Sequence, residues 1–115
     1  MATPRDTDLV ALGHPGFEHY GGLESFPNPG VARVEMTSDE LTSVCPITGQ
    51  PDMYVVTIDY APRELCLESK SLKIYLSRFR NEGVFCEALA VQIRDDVHVT
   101  LRQKPRGGIT IVASA

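Results

Sequence analysis

Tryptophan is absent from the 115 residues. Also absent is any apolar run approaching the ~20 residues that cross a bilayer, so no segment reads as a membrane span. A basic excess is missing too: 11 Lys and Arg stand against 15 Asp and Glu, a net charge of −4. A general grip on nucleic acid normally needs the opposite balance, which argues against direct nucleic-acid binding. The three cysteines form no C-x-x-C pair. Their odd number speaks against a disulfide framework and their spacing against a metal site, and both suit a reducing cytoplasm. Met1 to Val10 carries Arg5, Asp6 and Asp8 and no apolar core, so it does not resemble a secretory leader. Repeats and low-complexity tracts are likewise missing. What is present has the size of one domain, with a modest core of its own, and contact with neighbouring subunits is expected.

Residues 1–30 hold Pro4, Pro15, Pro27 and Pro29 and read as an irregular N-terminal arm, packed down by Leu12, Phe17, Tyr20, Leu23 and Phe26. Residues 31–115 read as the folded domain. Val31 to Met36 is predicted as a strand that continues through Leu41 to Val44 after a kink or bulge near Ser38 and Asp39. Met53 to Tyr60 alternates, with Tyr54, Val56, Ile58 and Tyr60 on one face. A helix is expected to start near Ser69 or Ser71, either of which can cap it, and to carry Leu72, Tyr75, Leu76 and Phe79 as its apolar stripe. Asn81-Glu82-Gly83 breaks it. A second helix is predicted over Phe85 to Val97, along Leu89, Ile93 and Val97. Val99 to Lys104 reads as a third strand, Pro105 to Gly108 as a turn, and Ile109 to Ala113 as a fourth strand. The order strand, strand, helix, helix, strand, strand predicts an α+β domain, a four-stranded antiparallel sheet with two helices on one face.

Four stretches carry chemistry. Cys45-Pro46-Ile47-Thr48-Gly49-Gln50-Pro51-Asp52 puts a thiol and a carboxyl on one turn shaped by Pro46, Gly49 and Pro51. A nucleophile needs a sulfur that ionises and a group to move its proton. A lone cysteine and aspartate are more often a small buried hydrophobe and a turn former; Thr48 and Gln50 beside them narrow those odds. In Glu68 to Tyr75 and beyond, Lys70, Lys73, Ser77 and Arg80 recur at helical spacing as a cationic stripe. With Ser69 and Ser71 at the helix start, the stripe suits a phosphate-bearing ligand, though a solvated helix face has the same pattern. Phe85-Cys86-Glu87 offers a ring to stack on a flat base and a carboxylate to accept its N–H groups. Lys104 to Gly108 reads as a turn with two cations, most simply ordinary turn chemistry.

Together these stretches resemble the nitrile oxidoreductases of queuosine biosynthesis, the 7-cyano-7-deazaguanine reductases. The resemblance spans nearly the whole chain: Leu23 to Pro29, Cys45 to Asp52, Glu68 to Tyr75, Phe79-Arg80-Asn81 and Pro105 to Ile109. It implies the tunnelling fold, with single-domain subunits in stacked pentameric rings and active sites between subunits. It implies NADPH as co-substrate, no metal, and a small deazapurine as substrate. Cys45 would be the nucleophile that forms a thioimide and Asp52 its proton donor. Leu67, Glu68, Ser69, Phe85, Cys86 and Glu87 would surround the base. Ser69, Lys70, Ser71, Lys73, Tyr75, Arg80 and Arg106 would serve the cofactor.

Two departures from the family pattern stand out. Cys86 occupies a position where the family usually has histidine, and Cys86 is expected close enough to Cys45 for a reversible disulfide under oxidation. The stretch from Glu87 to Arg106 is shorter than the family norm, which predicts either a second helix without its last turns or a missing loop. Two other readings compete. One is a tunnelling-fold amidinotransferase acting on the same nitrile in tRNA, which would lack the Glu68 to Tyr75 motif. The other is a non-catalytic purine- or pterin-binding module.

Overall fold

The computed structural model describes residues 22–102 and 109–114. Strand β2 (Val34–Val44) and strand β3 (Pro51–Tyr60) form a long antiparallel hairpin. Between Ser38 and Leu41 the register shifts: β2 takes three steps where β3 takes two, from Val56 to Tyr54. That extra residue is the bulge expected near Ser38 and Asp39. β3 alternates as read, burying Tyr54, Val56, Ile58 and Tyr60 on one face while Met53 and Val55 are exposed on the other. Strand β5 (Ile109–Ser114) pairs antiparallel with the far side of β3, so the main sheet has the order β2-β3-β5.

A second, two-stranded sheet joins β1 (Ser25–Pro27) to β4 (Leu65–Leu67). Part of the stretch read as an irregular arm is therefore regular structure. The reason is long-range pairing: Pro27 sits at the end of a three-residue strand, where its missing N–H costs nothing in the ladder. Residues 1–21, including Leu12, Phe17 and Tyr20, lie outside the described residues.

Helix α1 (Ser69–Ser77) does not start on a serine cap. Glu68 is its N-cap, and its carboxylate accepts from the amides of Ser71 at 2.7 Å and Lys70 at 3.0 Å. A carboxylate at this end satisfies orphan donors and complements the helix dipole, so it outcompetes a hydroxyl. A single 3₁₀ turn, Arg78–Asn81, prolongs the stripe and buries Phe79 edge-on against Tyr75, with ring centroids 5.2 Å apart. Helix α2 runs Cys86–Leu101, with Phe85 as its N-cap residue.

The strand expected over Val99 to Lys104 is corrected by α2. Leu89, Ile93, Val97 and Leu101 recur every four residues and are all buried, whereas Val99 is 78% exposed. Continuing a helical stripe into the core outweighed the local β-branched character of Val97-His98-Val99-Thr100. The helix thus keeps its last turns. Among the described residues the main sheet has three strands and not four. Residues 103–108, with the predicted turn and Arg106, lie outside the described residues.

Both helices cover one face of the sheet, and their buried side chains form one core with β2 and β3. No helix among the described residues is long and apolar enough to cross a membrane.

Candidate active site

The hairpin end between β2 and β3 is closed by its own backbone. Cys45 N–H donates to the Gln50 carbonyl at 2.8 Å, and Gly49 N–H to the Cys45 carbonyl at 2.9 Å. Gly49 has φ +71°, a left-handed conformation that strains any residue with a Cβ, which accounts for glycine there. Inside this turn the Cys45 thiol is pulled below its usual pKa. The Thr48 hydroxyl is the largest cause, followed by the backbone amides of Thr48 and Ile47; burial and the Asp52 charge work against them. The other two thiols move the opposite way. Burial raises Cys66, and burial with the charges of Glu87 and Asp52 raises Cys86.

Asp52 is not on the turn, as the sequence suggested. It is the second residue of β3, directly across from Ser43 of β2. Both lie on the inward face, which sets Asp52 among the side chains under the loop. Its charge acts on both Cys45 of the loop and Cys86 at the start of α2.

The 3₁₀ turn delivers α2 to this place. After Asn81 the chain runs beside the end of β2: Val44 N–H donates to the Glu82 carbonyl at 2.8 Å, and Val84 N–H to the Val44 carbonyl at 3.1 Å. Val44 and Gly83 form a parallel bridge. Val44 precedes Cys45, and Val84 precedes Phe85-Cys86-Glu87, so one backbone contact brings the two predicted stretches together. Phe85 and Glu87 are exposed there and Cys86 is half-buried.

The cationic stripe is also present. Lys70, Lys73, Ser77 and Arg80 are all exposed along α1 and the 3₁₀ turn, which lead towards the same end of β2. Lys73 faces Glu40 at 3.7 Å across a groove of about 220 Å³ lined also by Thr37, Ser38, Ser69 and Leu72. Other residues of the motif are occupied structurally. The Ser71 hydroxyl is buried, donates to the Glu68 carbonyl at 2.8 Å, and accepts from the Glu24 amide at 2.9 Å. Tyr75 is 1% exposed and its hydroxyl donates to Asp96 of α2. Leu67 is buried in β4, its amide donating to the Tyr60 hydroxyl at 2.7 Å. Glu68 is 7% exposed and engaged in the cap.

Two inward-facing polar groups escaped the sequence reading. Tyr54 donates from its hydroxyl to Asp52 Oδ2 at 3.4 Å, and Ser43 lies fully buried across from Asp52. In the sequence, Tyr54 is simply the first aromatic of an alternating strand. Its spacing of two from Asp52 was the available signal, and Ser43 becomes visible only once the register is known.

A sequence model of the QueF-like protein family matches residues 51–115. The NADPH-dependent 7-cyano-7-deazaguanine reductase of Frankia casuarinae is 43% identical over 93% of this chain and 94% of its own length. The enzyme of the same name from Rhodopirellula baltica is 46% identical over 76% of this chain and 82% of its own. This chain belongs to the 7-cyano-7-deazaguanine reductase family. The fold is the tunnelling fold of that family: the crystal structure of the archaeosine synthase QueF-Like in the apo form superposes with a TM-score of 0.61 at 21% identity, covering 74% of this chain and 95% of that one. The Frankia alignment spans 117 positions yet takes in 93% of this chain, which is about 107 of its 115 residues.

Proposed function

We propose that this enzyme reduces the nitrile of 7-cyano-7-deazaguanine to the aminomethyl group in two hydride transfers, with Cys45 as nucleophile. The observation that carries the reading is that the self-closed hairpin loop begins at Cys45, two residues past Ser43, which pairs with Asp52, and that Thr48 of the same loop draws this thiol towards its thiolate while the other two thiols move the opposite way. Cys45 Sγ adds to the nitrile carbon. As the S–C bond forms, one C–N π pair moves to nitrogen, and Asp52 passes that nitrogen the proton released by the thiol. The product is a neutral thioimide. A nitrile accepts hydride poorly, whereas the thioimide carbon is more electrophilic.

NADPH, when bound, supplies the two hydrides. Once the carbon is reduced, the C–S bond breaks, Cys45 recovers its thiolate, and the imine left behind is reduced to the amine. The overall change takes two NADPH and two protons and returns two NADP⁺. Phe85 and Glu87 are exposed beside the loop and suit the two faces of base recognition, stacking and acceptance of N–H donors. The exposed cations Lys70, Lys73 and Arg80 suit the phosphates of the co-substrate, so the residues present fit such a group. Glu68, Ser71 and Tyr75 serve by holding α1 in place.

Intact mass after mixing with 7-cyano-7-deazaguanine tests the reading. An adduct of the substrate's mass, lost in Cys45→Ala and discharged by NADPH, is expected. No adduct and no NADPH oxidation overturns it. An adduct discharged by ammonia and not by NADPH points to the amidinotransferase reading.

A further inference from the structure

We propose that Tyr54 is a positioning residue for Asp52: its hydroxyl holds one carboxyl oxygen and leaves the other for the proton that travels from Cys45 to the nitrile nitrogen. The inference rests on the roles of Cys45 and Asp52 proposed above and names the residue that orients the second of them.

Four observations support it. Tyr54 is anchored in the core, 5% exposed, two residues after Asp52 and on the same face of β3. Its hydroxyl donates to Asp52 Oδ2, and among the described residues this is the hydrogen bond that side chain makes. The 3.4 Å length is greater than the usual range for O–H···O, as is common in active sites that tighten only around their substrate. Across the hairpin, Ser43 is fully buried and in register with Asp52. Its Oγ makes no hydrogen bond of good geometry, yet it acts on the Tyr54 hydroxyl in the direction that favours the phenolate, against the larger effect of burial. A fully apolar wall would be expected if this end of the sheet only needed filling; instead one hydroxyl reaches the carboxyl and a buried serine stands opposite it in register.

The Asp52 charge opposes the ionisation of two thiols, Cys45 of the loop and Cys86 of α2. Thiols are weak hydrogen-bond donors. A carboxyl on a strand otherwise rotates about its last torsion with little penalty. Tyr54 supplies the stronger donor. Burial raises its pKa first, with the Asp52 and Cys86 charges adding to the rise, so the hydroxyl keeps its proton throughout the neutral range and remains a donor.

The test measures the rate of thioimide formation against 7-cyano-7-deazaguanine concentration in the full chain, Tyr54→Phe, Asp52→Asn and the double variant. Phenylalanine keeps the ring, so the fold is expected to survive; thermal melts check this. Tyr54→Phe is expected to lower the limiting rate about tenfold, the size of a lost hydrogen bond to a charged group. Half-saturation should stay within about twofold, and Asp52→Asn should remove any further effect of Tyr54→Phe. Ser43→Ala is expected to lower the same rate about twofold to threefold, and gives a reading even if Tyr54→Phe does not fold. Equal losses in both Asp52 backgrounds, or a change confined to half-saturation, overturns the positioning role. If Asp52→Asn slows the reaction and neither Tyr54→Phe nor Ser43→Ala does, positioning alone fails. If Asp52→Asn reacts like the parent, the role proposed for Asp52 fails first.

Discussion

At the scale of single residues, the division of labour among three cysteines follows from their immediate neighbours. Cys45 is held by donors, a hydroxyl and two amides; Cys66 and Cys86 are held by burial, and Cys86 also by nearby carboxylates. Donors favour a thiolate and burial disfavours it, so as pH rises Cys45 ionises before the other two. The largest single cause is the Thr48 hydroxyl. Thr48→Val keeps the branched shape and removes that donor. The Cys45 pKa then moves up, and the rise of adduct-formation rate with pH should shift to higher pH. At pH 7 the rate should fall several-fold, while at a pH above both values parent and variant should converge. Stopped-flow rates from pH 6 to 10 check this, and parallel profiles with a constant offset would assign Thr48 a different role. The composition of the loop was legible in the sequence because Pro46, Gly49 and Pro51 permit little besides a turn. The donors acting on sulfur were less so, since their aim depends on backbone angles such as the φ of Gly49.

Elements were legible where one face carries a clear period and misread where two periods overlap. β3 and the stripe of α1 came out as expected because alternation and i, i+4 spacing were unbroken. Val97 to Leu101 satisfied both a helix and a strand, and only the packing of Leu101 with the α2 stripe decides between them. This choice has a measurable consequence. On a strand, Val99 and Leu101 would share a face and respond alike to substitution. On α2, Leu101 is 3% exposed and Val99 faces solvent. Leu101→Ala should therefore cost about 2–4 kcal/mol and Val99→Lys no more than about 0.5 kcal/mol in urea unfolding. The start of α1 shows the reverse limit. Ser69 and Ser71 were the obvious caps by residue type, but Glu68 takes the role because the adjoining β4 is tied to β1 through Glu24, whose carbonyl accepts from the Glu68 amide at 2.9 Å. That tie is invisible in a local reading, since 44 positions separate the two residues.

For the molecule as a whole, the site depends on one junction. Cys45 and its donors belong to a hairpin that closes itself, whereas Phe85 and Glu87 are brought to it by the segment 82–84 lying against Val44. Sequence order placed these residues in separate motifs about forty positions apart; no periodicity announces a two-bond contact between them. Nucleophile and recognition surface are thus mechanically separable. Val84→Pro removes the amide that donates to the Val44 carbonyl. The hairpin should be left intact, so iodoacetamide should still modify Cys45 at the parental rate. Base recognition, by contrast, should loosen: the concentration of 7-cyano-7-deazaguanine giving half-maximal adduct formation should rise about tenfold, the effect of losing roughly one well-placed contact, with the limiting rate changed much less. Peptide mapping after alkylation and adduct formation against substrate concentration read the two quantities independently. A loss of Cys45 reactivity in step with the loss of binding would mean that the loop is held by α2 and not by its own hydrogen bonds.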